Sequence, residues 1–132
     1  MLLDSASVFA AEASRMPLVG AIGLALLFIV AGALVAGLSR KLASGTVGRN
    51  ATMGLRLTST LRSEAAWHAG QKAFAPFGIA AGVGCAALGA GLLFRPNQGV
   101  AVVLASLASI WLVVLPGFGA FMGDLAAKDA ES

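Results

Sequence analysis

Three long apolar runs alternate with polar segments along the chain. Residues 18–38, 73–94 and 100–122 contain no charged side chain, and each run is 21 to 23 residues long. Because an α-helix rises about 1.5 Å per residue, each run matches the hydrocarbon thickness of a bilayer, about 30 Å. The pattern predicts an all-α membrane protein with three transmembrane helices over these ranges.

The polar segments between the runs differ in length. Only residues 95–99 separate the second and third runs, and their proline and glycine favour a tight turn, so we predict an antiparallel helical hairpin. Residues 39–72 form a long loop and residues 123–132 a tail. Residues 1–17 are predicted to lie outside the membrane, either as a short helix on its surface or as a frayed end. In this interpretation residues 1–132 form a single membrane domain.

The composition supports a membrane protein. Hydrophobic residues make up 58% of the chain and charged residues 11%, whereas soluble proteins have about 45–50% and about 25%. So few charges could not cover the surface of a soluble domain this small, which excludes a soluble globule and a disordered chain. The single cysteine, Cys85, excludes an intramolecular disulfide and a metal site built from several thiolates.

Positive charges are concentrated on one side of the predicted spans. Seven of the nine Lys and Arg residues lie in the loop and the tail, whereas two lie in residues 1–17 and 95–99. Cytoplasmic segments are enriched in Lys and Arg, so we place the loop and carboxyl terminus in the cytoplasm and the amino terminus outside. We expect most of the loop cations to contact anionic lipid, and none to bind nucleic acid. The lipid-contacting candidates are Arg40, Lys41, Arg49, Arg62 and Lys72.

The second run repeats small residues at helical spacing. Such faces let helix backbones approach closely inside a membrane. The face could pack only against the other two helices of the chain, or it could also bind another membrane protein or a second copy. The predicted helix-packing face consists of Gly78, Gly82, Ala86 and Gly89. The first run has a similar set, Gly32, Ala33, Ala36 and Gly37.

The sequence lacks the side chains that catalysis or metal binding requires. The three runs contain no ionisable side chain, which argues against a stand-alone pump or channel. The single histidine, His68, has only Glu64 at helical spacing, which is too few ligands for a metal site. No Ser/His/Asp, Cys/His or paired-carboxylate set can be assembled. We therefore expect no catalytic residue, no metal and no cofactor, and predict that the chain is not an enzyme.

The second half of the loop is predicted to contain a short interfacial helix. Ser63 suits the N-cap position, and Glu64 places a negative charge at the positive end of the helix dipole. The helix runs toward the second span, and Trp67 is expected at the depth of the lipid headgroups. The preceding residues 45–53 are predicted to be irregular.

The loop also carries a specific motif. Residues 54–67 read Gly-Leu-Arg-Leu-Thr-Ser-Thr-Leu-Arg-Ser-Glu-Ala-Ala-Trp and, with Asn50, resemble the signature of the SdpI family of bacterial membrane proteins. The chain departs from the signature at Thr58, where proline is common, and at Gln71 and Lys72, where Asn or His followed by Arg is usual. The matching positions are Asn50, Gly54, Arg56, Thr60, Leu61, Ser63, Glu64 and Trp67.

The resemblance implies a multi-pass protein of the bacterial cytoplasmic (inner) membrane. A characterised member of the family is an immunity protein that protects a bacterium from its own secreted antimicrobial peptide. By resemblance, we expect immunity or response to a membrane-active peptide, by binding rather than catalysis. The matching residues would form a structural or partner-binding loop, in which we expect Arg56 to pair with Glu64.

A second function is also compatible with the sequence. Fuller members of the family have additional spans, so this chain could instead be a small non-catalytic accessory subunit that stabilises a larger bacterial membrane protein complex. Its Gly and Ala faces would then provide the contact. The expected partners across both interpretations are membrane lipids, other integral membrane proteins or a second copy, and a toxic peptide.

Overall fold

The computed structural model describes residues 15 and 17–131, which fold into three long helices. These are α1 (Leu18–Ala43), α2 (Glu64–Gly91) and α3 (Gln98–Glu131), with a single 3-10 turn at Leu92–Phe94. Each of the three helices is long and apolar enough to cross a membrane. The prediction of an all-α protein with three transmembrane helices is confirmed.

The helices extend beyond the apolar runs at the end of the molecule that carries the loop. Helix α2 begins at Glu64 because the Ser63 hydroxyl accepts the Ala66 N–H at 3.0 Å. The predicted short helix of the loop is therefore continuous with the second span. Helix α3 continues to Glu131, so most of the predicted tail is helical. Pro116 lies inside α3 without ending it, as membrane helices tolerate.

Helix α2 is the central element of the bundle. Both α1 and α3 pack along it, and they make little direct contact with each other. Gly82 of α2 faces Gly32 of α1 so closely that a Cβ on either residue would overlap the carbonyl oxygen of the other. Gly78 packs against Ser39 and Gly89 against Phe28. The predicted helix-packing face therefore contacts α1 of the same chain.

The contact between α2 and α3 combines glycines with aromatic rings. The Trp111 indole lies over Gly84, and its N–H donates to the Ala80 carbonyl at 2.9 Å. Nearer the loop, Gly119 of α3 packs against the Phe77 side chain of α2. A small residue on one helix thus receives a ring from the other, which brings the two helices of the hairpin together.

The two ends of the bundle are named here by their connections. The turn end carries residues 95–97, where the Asn97 side chain accepts the Val100 N–H at 2.9 Å and begins α3. A small buried cluster below the turn joins α1, the 3-10 turn and α3, and its members are Ala21, Ala25, Leu92 and Ala101. The loop end carries residues 44–63. Residues 1–14, 16 and 132 lie outside the described residues, so the two alternatives for the predicted external segment stay predictions.

Candidate functional site

The signature loop, residues 46–63, is ordered by its own polar side chains. The Asn50 side-chain oxygen accepts the N–H groups of Thr52 at 2.9 Å and Met53 at 2.8 Å, while its amide nitrogen donates to the Gly48 carbonyl at 2.9 Å. Gly54 has a φ of 102°, a conformation that glycine adopts without strain. Residues 45–53 are irregular, as predicted, but their hydrogen bonds specify the backbone path closely.

Two side chains from the first turns of α2 hold the loop. Trp67 is fully buried, and its indole N–H donates to the Val47 carbonyl at 3.0 Å. One turn later, the Gln71 side chain accepts the Leu55 N–H at 2.9 Å and donates to the Leu55 carbonyl at 2.8 Å. The loop folds over the ring and supplies its polar partner, so Trp67 is enclosed by protein, and its depth at the lipid headgroups stays a prediction.

Buried Thr60 closes the middle of the loop. Its hydroxyl accepts the Leu57 N–H at 2.8 Å and can donate to the carbonyls of Leu55 at 2.9 Å and Leu57 at 3.0 Å. These contacts pair polar backbone groups that the loop would otherwise bury without partners. Gly70 of α2 packs directly against the Thr60 side chain, so a larger residue there would push the loop away.

Glu64 is paired, although not with the expected residue. Its carboxylate accepts the Arg49 backbone N–H at 3.3 Å and lies 3.8 Å from the Arg49 guanidinium and 3.5 Å from His68 Nε2. The Arg49 guanidinium also donates to the Leu61 carbonyl at 2.9 Å. Arg49, predicted to contact lipid, thus braces the loop, and the expected pair of Glu64 with Arg56 does not form. Exposed pairs of this kind contribute little to stability, so they orient the loop more than they hold it.

A second set of contacts joins the loop to the end of α3. The buried Ser59 hydroxyl donates to the Asp124 carboxylate, which also pairs with Lys128 at 2.9 Å. The Ser63 hydroxyl donates to Glu131 at 2.5 Å. Asp124 lies beyond the apolar stretch of α3, and the Ser59 hydroxyl, followed by Lys128, lowers the pKa of its carboxyl. The loop is therefore fastened to α3 as well as to α2.

Beneath the loop lies an apolar groove between α1 and α3. Its volume is about 550 Å³, and the loop residues Gly54 and Leu55 close it at the loop end. Leu38 and Gly117 at its margins are exposed, so the groove opens sideways between the two helices. The full lining is Val35, Leu38, Ser39, Leu42, Gly54, Leu55, Phe74, Leu112, Pro116, Gly117 and Ala120. With Ser39 as its one polar side chain, the groove can bind apolar groups and offers no reacting group.

The structure brings most of the predicted signature residues into one unit. Asn50, Gly54, Thr60, Ser63, Glu64 and Trp67 all take part in the contacts described above. Arg56 is exposed and has no hydrogen bond or ion pair with the part of the chain that the structure describes. Its neighbour Leu55 lines the groove, so Arg56 stands at the closed end of the groove with its charge available.

Sequence reasoning missed the two residues that connect the loop to the helices most directly. Gln71 departs from the family signature, yet its side chain bonds both backbone groups of Leu55. Asp124 lies in the segment that the sequence predicts as a tail, yet its carboxylate accepts the hydrogen bond of the Ser59 hydroxyl. A polar residue one turn after a buried tryptophan, at the start of an apolar helix, was the available signal for Gln71.

Comparisons with known proteins identify the family but no individual relative. The sequence pattern of the SdpI/YfhL protein family matches residues 46–122, which cover the signature loop, α2 and most of α3. No protein of curated function and no solved structure matches the chain. Helix α1 lies outside the match, although it supplies one wall of the groove. Because the match covers more than half of the chain, this three-helix membrane protein belongs to the SdpI/YfhL protein family.

Proposed function

We propose that this protein confers immunity to a membrane-active antimicrobial peptide by binding it within the bilayer, without catalysing a reaction. The observation that carries the proposal is the apolar groove of about 550 Å³ between α1 and α3. Its volume lies within the range of about 300–1,000 Å³ typical of binding pockets. The groove is large enough for several side chains of an inserted peptide, but it encloses only part of the whole peptide.

The groove suits a peptide that enters from the membrane. Its sideways opening admits a ligand that is already dissolved in lipid, and its walls are apolar helix faces that a second helix can pack against. The signature loop closes one end and sets how deeply the peptide can lie. Helix α1 lies outside the family match, so we assign peptide specificity to the wall of the groove that α1 forms. Residues 46–122, which match the family, form the rest of the groove and hold its shape.

We also propose the orientation that the charges favour. The loop, the last turn of α1, the first turns of α2 and the end of α3 together carry seven of the nine Lys and Arg residues, so the loop end lies in the cytoplasm of a bacterial cell and the turn end lies outside. In this orientation the groove opens into the cytoplasmic leaflet of the inner membrane. A peptide captured there is held away from the outer leaflet.

The accessory-subunit function is the second candidate, and the structure gives it less support. It depended on the small-residue face of α2, and Gly78, Gly82 and Gly89 of that face pack against α1 of the same chain. A partner subunit would have to bind the outer faces of α1 or α3 instead. Purification of the chain from its native membranes in mild detergent distinguishes the two functions, because a stoichiometric set of other subunits would favour the accessory role.

Challenge of a deletion strain tests the immunity proposal. The probe is the concentrated peptide fraction of the bacterium's own spent medium. We expect the deletion strain to be inhibited at a severalfold lower concentration than the parent, and the wild-type gene to restore resistance. Equal sensitivity of the deletion strain and the parent would contradict the proposal.

Filling the groove tests whether it is the binding site. Gly117 lines the groove and Gly37 lies outside it, and a Cβ at either position would meet no other atom within 4 Å. We expect Gly117→Trp to accumulate normally in the membrane yet fail to restore resistance. Gly37→Trp should restore it, because its new ring projects outside the groove. Restoration by both variants at equal protein levels would show that the groove is not the site.

A further inference from the structure

A second cleft lies between the signature loop and the end of α3. Its volume is about 520 Å³, and it shares only Ala120 with the groove. Its lining combines apolar and charged side chains, namely Leu57, Thr58, Ser59, Arg62, Ala120, Phe121, Asp124 and Lys128. The cleft is therefore a separate feature from the proposed peptide site, and its mixed lining indicates a ligand with an apolar part and a charged part.

The cleft spans the change from apolar to charged surface on α3. Phe121, at 59% exposure, is the last aromatic residue of the helix, and Lys128 follows seven residues later. Seven residues of helix rise about 10 Å. A bilayer's polar layer is about 5–8 Å thick on each side of its hydrocarbon core. The cleft thus has the height of a lipid headgroup with the beginning of its acyl chains.

The cleft contains more cations than anions. Lys128 pairs with Asp124 at 2.9 Å, and the Ser59 hydroxyl is committed to the same carboxylate. Arg62 is exposed and makes no hydrogen bond or short ion pair with any described residue, although its charge acts on Asp124 at longer range. With two cations and one anion, the cleft carries a net charge of +1. A phosphodiester, with a single negative charge and two free oxygens, complements it, and a guanidinium binds such a group with two parallel hydrogen bonds.

We propose that this cleft binds one anionic phospholipid. The phosphate lies against the Arg62 guanidinium and the Lys128 ammonium, and the exposed Thr58 hydroxyl adds a donor. An acyl chain follows Phe121 down the outer face of α3. The bound lipid would bridge the loop and α3 at the point where the Ser59 to Asp124 hydrogen bond already joins them.

Lipid binding to the delipidated full chain tests the proposal. Dioleoylphosphatidylglycerol and dioleoylphosphatidylcholine are titrated separately, and the bound lipid is counted by native mass spectrometry. We expect one phosphatidylglycerol to bind in preference to phosphatidylcholine, and Arg62→Gln to weaken it about fivefold, the ratio that corresponds to roughly 1 kcal/mol per cation at a membrane surface. The matched control is Arg56→Gln, which removes the same charge from the same loop outside the cleft and should leave the binding unchanged.

A second variant separates a phosphate site from the alternatives. Asp124→Asn frees Lys128 and removes the one anion of the cleft, so it should strengthen phosphatidylglycerol binding. Weaker binding by this variant, together with tight binding of phosphatidylethanolamine, would assign the cleft to a headgroup amine and overturn the proposal. Equal losses in Arg62→Gln and Arg56→Gln would overturn it in favour of diffuse surface attraction. Displacement of the lipid by millimolar inorganic phosphate would overturn it in favour of a free-phosphate site.

Discussion

The loop end and the membrane-embedded part of the bundle hold their elements together by different contacts. In the bundle, glycines such as Gly82 and Gly32 let helix backbones touch, and each ring contact fills the space beside a small residue. At the loop end, side chains of α2 reach across to the loop backbone, as Gln71 does to Leu55 and Trp67 does to Val47. The bundle depends on glycines, which have no side chain to keep the helices apart, whereas the loop end depends on hydrogen bonds from a few specific side chains.

The difference between the two regions follows from their surroundings, which are lipid around the bundle and water around the loop end. Lipid tails are as apolar as the helices, so association inside the membrane must come from close packing. At the loop end, backbone groups that lose water must find partners in the protein, because an unpaired buried group costs about 1–3 kcal/mol. A larger side chain at a close helix contact should therefore damage the bundle most, and a change of hydrogen-bonding capacity should damage the loop most.

The largest effect is expected at Trp67, which combines size with a hydrogen bond. Trp67→Ala removes a fully buried ring and the partner of the Val47 carbonyl, so we expect a loss of about 3–5 kcal/mol in the free energy of unfolding. Steric trapping in bicelles measures this quantity. The control is Trp111→Ala in the bundle. That ring is 42% exposed and lipid can replace it, so the loss should stay near 1 kcal/mol. Equal losses would remove the distinction between the two regions.

The effect of side-chain size alone is tested at Gly32 of α1. Gly32→Leu forces a side chain against the backbone of Gly82 and Ala86, which cannot give way, so we expect α1 to separate from α2 at a cost of about 3 kcal/mol. Gly37→Leu is the matched control, because a Cβ there meets nothing within 4 Å and leucine favours the helix. Cross-linking between α1 and α2 should be lost in the first variant and kept in the second. Loss in both would show that the close approach at Gly32 is not what holds α1.

These contrasts also explain how much of the molecule could be predicted from the sequence. The three helices followed from uncharged runs long enough to cross a bilayer, and the close-packed face followed from its spacing of small residues. The first run offered two overlapping faces, and the sequence could not choose between them. The structure uses Gly32, while Gly37 stays open, because the choice depends on how α1 is rotated about its axis against α2.

The sequence identifies the residues of the loop motif but does not predict which groups they contact. Its signature positions marked residues that matter, yet the partners are backbone groups far along the chain, such as Leu55 for Gln71. Backbone partners leave no trace in the sequence, since every residue supplies the same N–H and C=O. Charge also gives a misleading signal. The opposite charges of Glu64 and Arg56 suggest a pair, whereas the fold brings the Arg49 guanidinium next to Glu64.

Hydrogen-bonding capacity without a large change of size is tested at Gln71. Gln71→Leu keeps the volume but leaves the Leu55 N–H without its partner and removes one of the two donors to the Leu55 carbonyl, the other being the Thr60 hydroxyl, so we expect about 2 kcal/mol of local destabilisation. Amide exchange at Leu55 should quicken accordingly, while exchange in the middle of α1 stays unchanged. Gln98→Leu, at the exposed first residue of α3, should change neither rate. Slower or equal exchange at Leu55 would mean that the loop does not depend on this side chain.

The smallest effect is expected where the loop meets the end of α3. Ser59→Ala removes the hydroxyl that donates to Asp124 but leaves α3 attached through Ser63 and Glu131, so amide exchange in the last two turns of α3 should quicken only about fivefold. The control is Ser109→Ala in the bundle, where the hydroxyl bonds the Ala105 carbonyl of its own helix at 2.9 Å and joins no second element. If the two serine variants changed amide exchange equally, the Ser59 hydroxyl would not contribute to holding the loop against α3. A response confined to Ser59→Ala would show that a single polar contact between elements matters at the loop end, whereas one within a helix does not.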